Sequence, residues 1–137
     1  MKYFTLEEMY KSDTAVRLGI QNMPSDEEKG VIEWNLEYLI GTVLDPLRKF
    51  MNVPILVTSG YRCKELNAKV GGVPNSQHIW GRAADITIKG ARCTDLLRMA
   101  GFIECYCDYD QLIVYRPQKF IHVSTKIIGN RHEFIIK

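Results

Sequence analysis

The sequence predicts an α+β chain with a helical first third and a β-rich remainder, and three observations carry that reading. Ile32, Leu36, Leu39, Ile40, Val43, Leu44, Leu47 and Phe50 recur at spacings of three and four, one broad apolar face of a helix. Beyond Gly101 the pattern turns to strands, at 102–107, 111–115, 120–125 and 133–136. Between the middle two, Arg116-Pro117-Gln118-Lys119 is a four-residue loop that makes them an antiparallel hairpin. Helices followed by strands, rather than alternating with them, imply an α+β arrangement. At 137 residues the chain suits one domain, with 1–52 as helical scaffold and 53–137 as the sheet that carries the chemistry.

The elements follow in order. Thr5 with Glu8 is a capping box for a short first helix, and a second turn starts near Ser12. Residues 18–24 read as loop. Ser25 with Glu28 is another capping box, ahead of the long apolar stripe. Pro46 should kink or split that helix near Asp45, because it lacks an N–H and crowds the preceding turn. A strand at 53–58 delivers Ser59-Gly60-Tyr61-Arg62, one or two helical turns occupy 64–70, and a Gly/Pro/Asn-rich loop follows. A strand at 84–88 ends at Gly90, and 94–100 fits a short helix with Gly101 as its stop.

Composition excludes several classes. Apolar content of 46% and charged content of 25% are those of a soluble globular protein. The net charge of +2 comes from scattered Lys and Arg, which gives no footprint for nucleic acid. No apolar run nears the roughly 20 residues a membrane span needs, so membrane insertion is not expected. The opening Met-Lys-Tyr-Phe-Thr-Leu-Glu-Glu has no apolar signal-peptide segment, which implies synthesis in the cytoplasm. The four cysteines, Cys63, Cys93, Cys105 and Cys107, have neither disulfide-framework nor zinc-finger spacing and read as reduced thiols.

The chemistry concentrates in Ser76-Gln-His-Ile-Trp-Gly-Arg-Ala-Ala-Asp85. His78 stands in the loop and Asp85, seven positions on, opens the strand, with small residues between that let the backbone pass close. His122 is central in the strand 120–125. The hairpin sets Ile113 opposite His122, and Asp85 and His122 each lie on the more polar face of their strands. Two imidazoles and a carboxylate make a three-ligand set for zinc with a fourth position open. The plainer alternative is a surface histidine in a loop and an aspartate capping a turn.

These residues resemble the M15 peptidases, the zinc D-Ala-D-Ala carboxypeptidase family, in its short form of phages and gut bacteria. The likeness runs nearly end to end. It is carried by Tyr3-Phe-Thr-Leu-Glu-Glu-Met9, Val43-Leu-Asp-Pro-Leu-Arg48 and Ser59-Gly-Tyr-Arg-Cys-Lys-Glu-Leu-Asn67. The serine–histidine–glycine–alanine–aspartate spacing from Ser76 to Asp85 and the late Phe120-Ile-His-Val-Ser124 complete it. The resemblance implies a Zn2+ held by His78, Asp85 and His122, in the α+β, antiparallel-sheet fold shared with lysostaphin-type endopeptidases and the hedgehog signalling domain. It implies hydrolysis of peptidoglycan stem peptides next to a D-amino acid, as a D,D-carboxypeptidase or endopeptidase of endolysin type. Arg62 would hold the substrate or polarise the carbonyl under attack, and Ser76 would line the substrate pocket. The expected protein is a monomer that reaches the cell wall after release or in a phage particle.

One departure stands out. Many M15 enzymes carry an acid three residues before the last histidine as general base, and that position is Lys119 here. An ammonium does not accept a proton at neutral pH. Asp108, Asp110, Gln111 and His132 are nearby in sequence. Asp110 falls on the face opposite His122 if its strand starts that early, Gln111 is no base, and His132 reads as an exposed strand residue. The second reading is therefore a non-catalytic zinc-bound relative, serving as a wall-binding or phage structural module.

Overall fold

The computed structural model describes residues 1–137. Helices α1 (Leu6–Tyr10) and α2 (Asp13–Leu18) precede α3 (Lys29–Leu39), a π turn (Ile40–Leu44) and α4 (Asp45–Met51). Then come β1 (Leu56–Ser59), α5 (Lys64–Lys69), a 3-10 turn (Gln77–Trp80), β2 (Ala83–Thr87), α6 (Cys93–Tyr106), β3 (Gln111–Tyr115), β4 (Phe120–Ser124) and β5 (Glu133–Ile136). The five strands form one sheet in the order β1-β2-β4-β3-β5. Three pairings are antiparallel, and β5 joins β3 in parallel at the edge. The α+β architecture with flanking helices is the one the sequence predicts.

The predicted apolar stripe is the floor of the molecule. Ile32, Leu36, Leu39, Ile40, Val43, Leu44 and Leu47 are all but fully buried, each contributing about 1.5–3 kcal/mol before entropy is charged against it. They pack with Ala84, Ile86, Leu112, Val114, Ile121 and Val123, the apolar face of β2, β3 and β4. The helix is divided near Asp45, as expected, into α3 and α4, with a π turn between them and Pro46 in the first turn of α4. In the π turn the Asp45 N–H reaches back to the Ile40 carbonyl, widening the helix just ahead of Pro46, which has no N–H to give.

The region after Thr94 departs from expectation. Helix α6 does not stop at Gly101 but runs to Tyr106, so 102–107 is no strand. The alternation in Phe102-Ile-Glu-Cys-Tyr-Cys107 hid a helical stripe, Leu96, Met99, Ala100 and Ile103, all fully buried. Phe102 also stacks on Phe50 of α4 at 4.5 Å between ring centroids. That burial outweighs the roughly 1 kcal/mol that a glycine costs inside a helix. Cys105 is exposed on the helix, and Cys107, just past its end, is buried, its thiol pushed up to about 11 by that burial.

Strand register prepares the site. The hairpin pairs Tyr115 with Phe120 and Ile113 with His122, as the loop length predicts. On the other side of β4, His122 pairs with Asp85, and Asp85 in turn pairs with Ser59 across an irregularity in β1. Ser59, Asp85, His122 and Ile113 thus form one transverse row on the face away from the helical core.

Candidate metal centre

Three segments converge on that row. Ala84 is fully buried in the core beneath it and Ala83 is fully buried beside it, and Asp85 and His122 face each other from paired strands. His78 arrives from the 3-10 turn, which Ser76 caps by accepting the His78 N–H on its Oγ at 3.2 Å. Gly81 ends the turn at φ 71°, where a Cβ would stand 2.8 Å from the Ile32 carbonyl oxygen, so only glycine lets the loop seat on α3. The His78 Nδ1–H donates to the Gly60 carbonyl at 2.7 Å, which sets the tautomer and turns Nε2 toward Asp85. Gly60 has its own constraint: a side chain there would run into the backbone of Met9.

The donor atoms fit one small metal ion. Asp85 Oδ1 lies 3.0 Å from His122 Nδ1 and 3.4 Å from His78 Nε2, and the three donors all fall within 4.8 Å of one another. A tetrahedral zinc with ligands at about 2.0–2.1 Å has ligand–ligand edges of about 3.3 Å. The two edges to Asp85 are already near that length. Two imidazoles and one carboxylate, with one ring's other nitrogen held by a backbone carbonyl, suit zinc over hard oxygen-seeking ions. His78 is 3% exposed and Asp85 9%, so the ion would be gripped from below with its open side toward the cleft. Burial pushes the Asp85 carboxyl up, but hydrogen bonds and charge from His122 and His78 outweigh it and hold the group well below the usual carboxylate range.

Arg62 sits beside this centre. Its Nη2 donates to Asp85 Oδ2 at 3.3 Å, its Nε to Ser59 Oγ at 3.0 Å and its Nη1 to Asn67 Oδ1 at 3.4 Å. Burial lowers the guanidinium's pKa while Asp85 opposes the shift. One side of Arg62 thus braces Asp85 while the residue still lines the cleft. Asn67, Ser59 and Gly60 were not singled out from the sequence. They sit within or just after the Ser59–Arg62 segment, and only the fold reveals that they orient the arginine and His78.

Two adjoining cavities, of about 520 and 360 Å3, meet at Val73, Ser76 and His122 and make one open cleft over the row. Ser76 and Arg62 both border it. Lys119 does not: at φ 63° its side chain turns to Cys93, placing Nζ 3.2 Å from Sγ. His132 pairs with Asp108 at 2.9 Å away from the cleft, and Gln111 spends its amide on Glu133 at 2.6 Å. Asp110 precedes β3 rather than belonging to it, and its carboxylate borders the larger cavity. It is fully buried and fastened by the Arg131 side chain and N–H and by Gln77. Burial raises its carboxyl, but those bonds prevail and hold it at about 2, which leaves it a weak base. No carboxylate other than those of Asp85 and Asp110 lines the cleft.

No helix is long and apolar enough to cross a membrane. No curated protein sequence matches the chain. A family model does: that of peptidase M15 aligns with residues 2–124, from the first residues to the end of β4, and so covers Arg62, Ser76 and all three donors. With nine-tenths of its length under that match, this chain belongs to the peptidase M15 family.

Proposed function

We infer that the protein is a zinc-dependent peptidase of bacterial peptidoglycan, cutting stem peptides next to a D-amino acid as a D,D-carboxypeptidase or endopeptidase. The observation that carries this reading is the His78–Asp85–His122 donor triad, open to a cleft that Arg62 borders. A zinc held there supplies a Lewis acid that polarises a peptide carbonyl and acidifies a water molecule. Asp85 and the two imidazoles hold the ion, and Gly60 fixes the orientation of one ring through its carbonyl. Arg62 directs its guanidinium to Asp85 and to the cleft, where a substrate carboxylate or a developing oxyanion is the natural partner. Ser76, at the junction of the two cavities, offers a hydroxyl hydrogen to the peptide backbone. In this reading the protein acts as a monomer on the wall after release from the cell or from a phage particle.

A second reading has its own support. Lys119 occupies the position of the usual base and points to Cys93, and the cleft's one non-ligand carboxylate is tied up by Arg131. A protein that keeps the metal and binds wall peptide without cutting it would look the same. Mass spectrometry of purified muropeptides incubated with zinc-loaded protein, with and without chelator, separates the two. Loss of one terminal D-alanine marks a carboxypeptidase, and a cut within the stem or cross-link marks an endopeptidase. Arg62→Ala should then abolish turnover. No product from fully zinc-loaded protein refutes the peptidase reading.

A further inference from the structure

The larger of the two cavities has a chemistry that zinc hydrolysis alone does not require. Arg82, Lys126 and Arg131 line it, against the single carboxylate of Asp110. Arg131 makes a bidentate pair with that carboxylate, Nε to Oδ1 and Nη2 to Oδ2, and Lys126 lies 3.7 Å from it. Arg82 has no acidic partner. Its backbone is nevertheless anchored on both sides, the N–H donating to Gln77 at 3.0 Å and the carbonyl accepting from Thr125 at 2.9 Å. Arg82 is partly buried, and its guanidinium makes no hydrogen bond within the protein, so all its donors are free for a ligand. Three cations against one carboxylate leave the cavity positively charged, and an acidic ligand group would offset that charge.

We propose that Arg82, with Lys126 beside it, is an anion subsite that selects stem peptides bearing a free carboxylate over their carboxamide forms. This rests on the peptidase reading of the cleft and deepens it by naming the substrate class. Arg62 borders one cavity and Arg82 the other, with His122 shared between them. A peptide lying across the metal centre would therefore meet a cation on each side. Arg82 touches none of the metal donors and acts on specificity by binding the substrate's acid through charge-assisted hydrogen bonds.

The test uses two synthetic stem peptides that differ only in one group, a side-chain carboxylate or its primary carboxamide. Calorimetric titration into metal-free protein reads binding, and competition between the pair on zinc-loaded protein reads cleavage. The acidic peptide should bind and react at least roughly tenfold better at low salt, with the advantage shrinking as salt rises. Arg82→Gln should bring both ratios to within about twofold of unity, Arg82→Lys should keep part of the preference, and Lys126→Gln should lower it. Should Arg82→Gln fail to fold, the wild-type ratio and Lys126→Gln decide the matter. Equal binding of the two peptides by wild-type protein, or a ratio that Arg82→Gln leaves intact, overturns the subsite. Equal cleavage of both removes the subsite but keeps the peptidase. An Arg82-dependent binding preference with no cleavage of either removes the peptidase but keeps the subsite.

Discussion

Asp110→Asn is expected to destabilise the protein by about 2 kcal/mol at neutral pH, and to do so with a specific dependence on acid. The carboxylate is fully buried and accepts from Arg131 Nη2 at 2.9 Å, Arg131 N at 2.9 Å and Gln77 Nε2 at 3.1 Å. These bonds hold its pKa at about 2 against an ordinary 3.8. A depression of that size is worth about 2 kcal/mol once the half-exposed Arg131 is allowed for. The sign follows from the depressed folded-state pKa. The stabilisation is complete above pH 3.8 and is lost as pH falls through 2, because only the unfolded chain takes up the proton between those values. The gap between wild type and Asp110→Asn should therefore shrink to roughly half by pH 3. Urea unfolding from pH 7 to pH 3 measures it, with the wild-type midpoint about 1 M higher at pH 7. Asp108→Asn is the control, since its pair with His132 is exposed on both sides and worth under about 1 kcal/mol. A loss below about 0.5 kcal/mol at pH 7, or one constant with pH, would refute the reasoning.

Three further outcomes follow from the same structure. His122→Ala removes one of three donors, so zinc content by elemental analysis should fall from one per chain toward zero, and zinc should no longer raise the melting temperature. Gly101→Ala should stabilise the protein by about 0.5–1 kcal/mol, because the residue is inside α6 with no atom within 4 Å of the added methyl; a thermal melt showing a loss would mean the helix ends there after all. Gly81→Ala should cost about 2 kcal/mol or more, since it forces a left-handed backbone and puts a methyl 2.8 Å from the Ile32 carbonyl oxygen; unfolding equilibria that match wild type would show the loop is not seated on α3.

Much of the site was legible because its spacings are local. Ser76 to Asp85 is one turn and one strand start, and the hairpin register follows from the length of a single loop, so Ile113 opposite His122 could be placed before any fold was known. The helix–strand choice at 102–107 could not. Phe-Ile-Glu-Cys-Tyr-Cys alternates like a strand, and what makes it helical is Phe50, brought by α4 to stack on Phe102, together with the burial of Ile103. Pro46 marks a helix division in the sequence, yet the π turn that forms ahead of it depends on the packing around both halves.

By itself the sequence determined the α+β class, the candidate His78–Asp85–His122 triad and the absence of an acid three residues before His122, since each rests on residue identity and short-range period. Tertiary structure alone decided what surrounds them. It turned Arg62 onto Asp85, sent Lys119 to Cys93, closed Asp110 in a pair with Arg131 and left Arg82 without an acidic partner. The physical reason is range. A ligand motif is written in neighbouring residues, whereas charge pairing is settled by which of several possible partners the packed chain brings within about 3 Å, and Asp110 and Arg131 are 21 residues apart.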